Sequence, residues 1–485
     1  MNSSLMHQKN RMKTLAPAAA AMVLASVGLV STAKAETLTA GSGMTYPTPC
    51  AAIAAAHPND VIEVAAGTYT DTCSIGVAGL TVKGVGGRPK IDLSGTDHPA
   101  EYKGIYVVNA DDVRLENLEL TGSHISDGNG SNGAGIRVVG SGLVVHGCFI
   151  HDNQDGILGT PSGRSSTITI ENTELDHNAL GNGCTNGNGC THNVYLNAFA
   201  KAVFQYNWTH NVADAGHLFK SRALQNAVLY NRITGEGGQD SYAIDLPNGG
   251  VAVVVGNVVQ KGINAGNTVL IAYGEEGADG RDNRLFVAGN TFVNDASKGT
   301  FINVTAGTLT AHDNLFIGTG TPSSKGALSA DNLIGIDPLF VNRAGYDYHL
   351  RIGSPAIDVG VDPGTADTTS LTPIAEYVQP TSAAKRRSDG KLDIGAFEYG
   401  TDTTIGLDGD AGAGDQNGDA SASAGGATNG ADGGSSGTGS SAATPSHDGS
   451  GCNVRGGTSP LGVGAGAGLA LFVLGVARRR RKAAR

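Results

Sequence analysis

The repeat-bearing middle of the sequence lacks any helical spacing of apolar residues, which excludes helical bundles and helical solenoids. Its six cysteines lack metal-ligand spacing such as CxxC, so no thiolate zinc site is expected. Basic residues are also scarce. The 485 residues carry 33 Lys and Arg against 44 Asp and Glu, a net of −11. Eleven of those basic residues lie in segments 1–35 and 452–485, which contain no acids. The span between therefore holds 22 basic and 44 acidic residues, a net of −22. A nucleic-acid partner needs a basic surface and is excluded. An anionic polysaccharide would have to be held by a local basic cluster or a cation.

The two ends read as processing segments. Lys9, Arg11 and Lys13 precede an apolar, Ala-rich stretch from Leu15 to Val30, and Ala33-Lys34-Ala35 follows. This predicts a signal peptide over 1–35, with the mature chain beginning near Glu36. Residues 401–451 are Gly, Ala, Ser, Thr and Asp with almost no large apolar residue, a flexible spacer unable to bury a core. Cys452, the apolar run Leu461–Ala477 and the cluster Arg478-Arg479-Arg480-Arg481-Lys482 close the chain. That layout resembles the myxobacterial-type C-terminal sorting tail. The resemblance implies recognition by sorting and export machinery, processing near Cys452 and display at the cell surface. A permanent membrane anchor, with its positive end in the cytoplasm, is the competing reading. Either places the folded part outside the cell. Cysteine usage suits such an oxidising compartment. Cys50 can pair with Cys73 and Cys184 with Cys190, which leaves Cys148 as a buried free thiol.

In the middle of the chain, short β-type runs end in a recurring Asn, at Asn117, Asn172, Asn207, Asn231, Asn257, Asn290 and Asn314, with Gly147 taking that position in one run. Most intervals lie near 24–26 residues and a few are longer. This is the signature of a solenoid with insertions confined to loops. Each repeat holds two or three short strands rich in Val, Ile, Leu and Thr. The recurring Asn would form an amide ladder between stacked rungs. Ahead of the repeats stand Cys50-Ala51-Ala52-Ile53-Ala54-Ala55-Ala56, then Asp60-Val61-Ile62-Glu63-Val64 and Gly67-Thr68-Tyr69.

This pattern resembles the pectate-lyase-like β-helix superfamily. The resemblance implies an all-β, right-handed parallel β-helix with an N-terminal helical cap. The motifs Asp337-Pro338-Leu339-Phe340, Gly353-Ser354-Pro355-Ala356-Ile357-Asp358 and Asp393-Ile394-Gly395-Ala396-Phe397 resemble the closing region of secreted β-helix proteins. They point to a C-terminal cap in which Asp358 and Asp393 are structural. The expected division is cap and first rungs over 36–104, coil over 105–335, and last rungs and cap over 336–400. A monomer is expected.

Aligning the rungs brings three strands into register, around Val194, Phe219 and Ile244. These three face the core, so Tyr195, Lys220 and Asp245 stack on the opposite face, as do Asn197 and Arg222. That face is expected in solvent. Long insertions at Gly122–Gly133, Asn178–Thr191 and Gly274–Asn283 surround it, as walls would surround a groove. The residue types suit β-elimination on a uronate polysaccharide, which needs a base, a carboxylate neutraliser and an acid. Lys220 is the candidate base and Arg222 the neutraliser, with Tyr195, His192 or His217 as acid. Asn197, Asp240, Tyr242 and Tyr273 are expected to contact the sugar. Lysine bases occur in lyases that the chain resembles, but Asp245 stands where one such family has Arg. A plain salt bridge from Lys220 to Asp245 is the competing reading.

Glu275, Glu276, Asp279 and Asp282 supply oxygen ligands suited to Ca2+; a solvated acidic loop is the alternative. Hydrolysis would use two carboxylates among Asp240, Asp245, Glu275 and Glu276. Motifs of the β-helix polygalacturonases are absent, and Gly216-His217-Leu218 matches only in part. Epimerisation would share the lyase residues, and a non-catalytic glycan-binding or adhesion protein is the third class.

Overall fold

The computed structural model describes residues 34–400, apart from 97, 127–129, 162, 164 and 181–190. The signal segment, the spacer, the sorting tail and the Cys184–Cys190 pair lie outside the described residues. No described helix is long and apolar enough to cross a membrane.

The chain winds into a right-handed parallel β-helix of three sheets with 11, 10 and 11 strands. The first sheet runs from Thr37–Ala40 to Thr308–His312, the second from Cys73–Ile75 to Thr321–Ser323, and the third from Thr68–Tyr69 to Leu333–Ile334. Every pairing within the three sheets is parallel, each strand bonding to its equivalent one rung away. Alternate residues therefore fall into inward and outward columns. Ile157, Val194, Phe219, Ile244 and Ile271 form one inward column of the second sheet, and all five are fully buried.

The N-terminal end is closed as expected. Helix Pro49–Ala55 is capped by Thr48, whose hydroxyl accepts from the Ala51 N–H at 3.3 Å. The Cys50–Cys73 disulfide ties this helix to the first strand of the second sheet. Cys148 is a free, buried thiol.

An amide ladder is present, but its first members differ from the expected ones. Asn207, Asn231, Asn257, Asn290 and Asn314 each pass a side-chain N–H to the next Oδ1 at 2.9–3.1 Å, the last reaching Asn332. Asn117 and Asn172 sit one position short of it, at corners with φ of 51° and 50°. Thr173 holds the ladder position in that rung and meets the end of the ladder as a donor: its N–H donates to Asn207 Oδ1 at 3.0 Å. The corner needs a left-handed backbone, which Asn and Gly tolerate; the ladder needs an amide. Two adjacent columns thus select Asn for different reasons.

The C-terminal segment does more than close the coil. Phe340, Tyr348, Leu350 and Phe397 pack on the outward side of the third sheet against Val258, Val293 and Leu315. Ala366, Leu371 and Ala375 cover Val255, Phe286 and Ala288 of the first sheet. Asp393 accepts from the Asp358 and Tyr399 N–H groups at 2.7 and 2.6 Å, a structural role for that carboxylate.

Asn257 is fully buried and gives its two amide hydrogens to Val228 O and Asn290 Oδ1, at 2.8 and 2.9 Å. Replacing it with Ala strands the facing groups of Asn231 and Asn290. The expected loss is roughly 1–3 kcal/mol, read from a lower denaturant midpoint at unchanged slope. An unchanged midpoint would show that the ladder contributes nothing.

Candidate functional site

The register expected from the sequence is the register observed. Tyr195 pairs with Lys220 and Lys220 with Asp245, on successive rungs of the second sheet. Arg222 continues its strand, with its N–H bonded to Leu196 O at 2.8 Å, and lies one rung above Asn197. Two residues before each strand, His192, His217 and Tyr242 form a parallel column.

Solvent does not reach this face in the way expected. Lys220 is only 8% exposed and Asp245 only 1%, because the loop after Tyr273 lies across them. Lys220 Nζ is 3.0 Å from Asp245 Oδ2 and 3.3 Å from Glu276 Oε1. The competing reading of Lys220 as an ion-pair partner is thus realised, with a second carboxylate added. The guanidinium of Arg222 is divided three ways. Its Nε donates to Tyr195 Oη at 2.9 Å, Nη1 to Asn248 Oδ1 at 2.7 Å, and Nη2 lies 2.5 Å from Glu276 Oε2. Both cations also lie near the Tyr195 ring, at 5.5 and 5.7 Å from its centroid.

The two histidines are held neutral. The His217 N–H donates to His192 Nδ1 at 2.9 Å, and the Tyr242 N–H donates to His217 Nδ1 at 3.2 Å. With Nδ1 accepting on each ring, the single proton of the neutral form sits on Nε2. Burial, reinforced by Lys220 and Arg222, holds the His192 pKa well below its ordinary value. Burial and then His192 and Lys220 do the same to His217. The rings stack with centroids 4.5 Å apart. His217 Nε2 reaches to 3.3 Å from Asp245 Oδ2. Burial pushes the Asp245 carboxyl up to about 6 although Lys220 pulls the other way. Neither Asp245 oxygen accepts a well-directed hydrogen bond, so distance alone joins it to its neighbours.

Several expected contacts are corrected. Asp240 is wholly buried and forms an ion pair with Lys261 at 2.5 Å, closed off from any sugar. Tyr273 pairs with Leu246, an inward position, and is fully buried in the core. Tyr242 does face the site, where burial first and then Glu275 push its phenol up. Glu275, Glu276 and Asp279 do not converge as metal ligands. Glu275 bonds Asn303, Glu276 bonds the two cations, and Asp279 is exposed. Among the described residues no group of three or more His, Cys, Asp or Glu side chains could hold a metal ion. Asp282 instead pairs with Arg284 at 2.6 Å.

Sequence reasoning missed Asp155 and Arg137, which continue the same face downward. Asp155 stands two residues before Ile157, in the column of His192, and its Oδ1 accepts the His192 N–H at 2.8 Å. Burial pushes its carboxyl up to about 8. Arg137 pairs with Leu158, the outward neighbour of Tyr195. Extending the register one rung below Val194 would have found Asp155, and a second rung Arg137. A cavity of about 1070 Å³ lies on the first sheet beside Tyr206, Tyr230 and Asp367, away from these groups.

No protein-family model matches the chain, and no curated protein matches it. Among solved structures, pectate lyase Pel9A superposes with a TM-score of 0.56 at 16% identity, covering 76% of this chain and 96% of that one. An alginate lyase from Paenibacillus sp. str. FPU-7 gives 0.33 at 16% identity, covering 61% and 99%. Pectin methylesterase PemA from Erwinia chrysanthemi gives 0.34 at 13% identity, covering 63% and 94%. At these identities the Pel9A superposition establishes the parallel β-helix and nothing finer.

Two outcomes follow from the buried charges. Lys220→Ala leaves Asp245 without its cation and should destabilise by on the order of 3 kcal/mol in denaturant unfolding at pH 8. The loss should shrink at pH 5, where Asp245 takes up a proton. For Asp155, a carboxyl raised from 3.8 to about 8 is protonated in the fold while ionised in the unfolded chain. It contributes full stability below pH 4 and loses it as pH rises through 8. Asp155→Asn keeps the acceptor for His192. Its unfolding midpoint should fall less than wild type between pH 4 and 8; equal slopes would refute the assignment.

Proposed function

We propose that this protein cleaves a uronate-containing polysaccharide outside the cell by β-elimination. One observation carries the reading: two cations, Lys220 and Arg222, converge on a single carboxylate beside the Tyr195 hydroxyl. Arg222 neutralises the carboxylate of the sugar being cleaved and so stabilises the charge that develops there. Lys220, in its deprotonated form, accepts the proton from the carbon alpha to that carboxylate. The C–H electrons form the new double bond, and the bond to the bridging oxygen breaks. Tyr195 protonates that oxygen; its own oxygen accepts from Arg222, which leaves its hydrogen free to donate. Solvent then restores the tyrosine proton and takes up the one that Lys220 removed. His192 and His217 position the column, and a pectate lyase is built on the same fold.

A second reading has one observation in its favour. Lys220 already has two carboxylates at salt-bridge distance, as in a surface that binds an acidic glycan without cleaving it. The two separate in one experiment. The secreted protein is mixed with pectate and with alginate, and ultraviolet absorbance of the unsaturated uronate product is followed. Elimination predicts a steady rise, reduced about 100-fold or more in Tyr195→Phe at an unchanged melting temperature. Binding of either polymer with no rise in absorbance selects the binding protein. A rise that Tyr195→Phe leaves intact removes Tyr195 from the chemistry.

A further inference from the structure

We infer that Glu276 sits where a ligand's carboxylate binds, as an internal stand-in that only a carboxylated sugar displaces well; this rests on the uronate reading above. The seat is built from groups of unequal freedom. The side chain of Lys220 is 9% exposed and that of Arg222 is 21% exposed, whereas that of Glu276 is 42% exposed. Asp245, the other anion, is 2% exposed and fixed by its strand. Glu276 therefore closes the seat from the solvent side.

Its carboxylate bridges the two cations, one oxygen to each, as a bidentate ligand carboxylate would. Its backbone is held independently. The Glu276 N–H donates to Pro247 O at 2.8 Å, and Asn248 Nδ2 donates to Gly277 O at 2.9 Å. Rotation of one side chain clears the seat without opening the loop. The residues on either side are Glu275 and Gly277. Gly277 has φ of 98° and no atom within 4 Å of where a Cβ would stand, so space remains on that side.

The exchange sets a preference. A free uronate replaces one carboxylate by another and leaves two cations facing two anions. A neutral or methyl-esterified sugar breaks both Glu276 contacts and leaves Lys220 and Arg222 short of a counter-charge in a largely buried place, which is costly. Glu276 thus acts as a filter for unesterified uronic acids.

The test compares wild type with Glu276→Gln, using oligogalacturonate and its methyl ester as probes in titration calorimetry. The glutamine keeps the size and removes the charge, and its exposure makes a folding defect unexpected; melting temperatures check this. Glu276→Asp, with a carboxylate one carbon shorter, serves as the second variant. The expected result is about tenfold tighter binding of oligogalacturonate by Glu276→Gln, with Glu276→Asp between, and a gain for the ester as well, which no longer has a paired carboxylate to displace. Equal or weaker binding of oligogalacturonate by Glu276→Gln, in a protein that binds it as wild type, overturns the stand-in while the uronate reading survives. If neither protein binds oligogalacturonate or an alginate oligomer, both readings fall.

Discussion

The parallel register of the coil is the constraint on which everything else depends. A strand that slipped by one residue would turn its inward column outward. Ile157, Val194, Phe219, Ile244 and Ile271 prevent this, because all five are fully buried. Once they face inward, Tyr195, Lys220 and Asp245 must face outward, one rung apart at about 4.8 Å. That spacing is short enough for neighbouring side chains to bond directly. It is also why a lysine and an aspartate 25 residues apart in sequence end 3.0 Å apart in space.

The charges on this face balance locally. Lys220 and Arg222 face Asp245 and Glu276, and the two histidines between them are neutral. A buried set of ions is tolerated only when each has a counterpart. The balance is unequal in mobility, however. Asp245 belongs to a strand and is sealed beneath His217 and Lys220, whereas Glu276 belongs to a loop and keeps much of its surface in water. The same two cations are therefore matched once by a permanent partner and once by an exchangeable one. The neutral histidines matter here, because a charged imidazole beside Asp245 would compete with Lys220 for it.

The architecture and the Tyr195–Lys220–Asp245 register were legible because both follow from a period of apolar residues, and strands print that period directly. The errors have particular causes. Tyr273 lies in a strand whose alternation puts it beside Leu246, and its hydroxyl suggested a surface role that the register denies. Asp240 precedes its strand by four residues, where no period applies, and its partner Lys261 comes from the third sheet. Nothing local in the sequence joins them. Exposure was misjudged for Lys220 because coverage comes from a loop, and the path of a loop is not encoded in the strand pattern. Asn117 and Asn172 were displaced by one because the corner and the ladder favour the same residue at adjacent positions.

The C-terminal segment explains why the second sheet is the face that carries the candidate site. Outward residues of the first and third sheets are apolar near the end of the coil: Val255, Phe286 and Ala288 on one, Val258, Val293 and Leu315 on the other. Such surfaces must be covered, and residues 340–397 cover them. The second sheet is not apolar outward at the same height. Its outward column reads Arg137, Leu158, Tyr195, Lys220, Asp245 and Ala272 along successive rungs. Charged and hydroxyl groups there find partners in one another and in one loop, so no further chain segment is needed to shield them. The sheet that needed least covering is thus the one that the C-terminal segment leaves to a single loop, and its polar column runs in the direction in which the rungs stack. An extended ligand laid along that direction would meet these side chains one rung at a time, with the cations Arg137 and Lys220 separated by Leu158 and Tyr195.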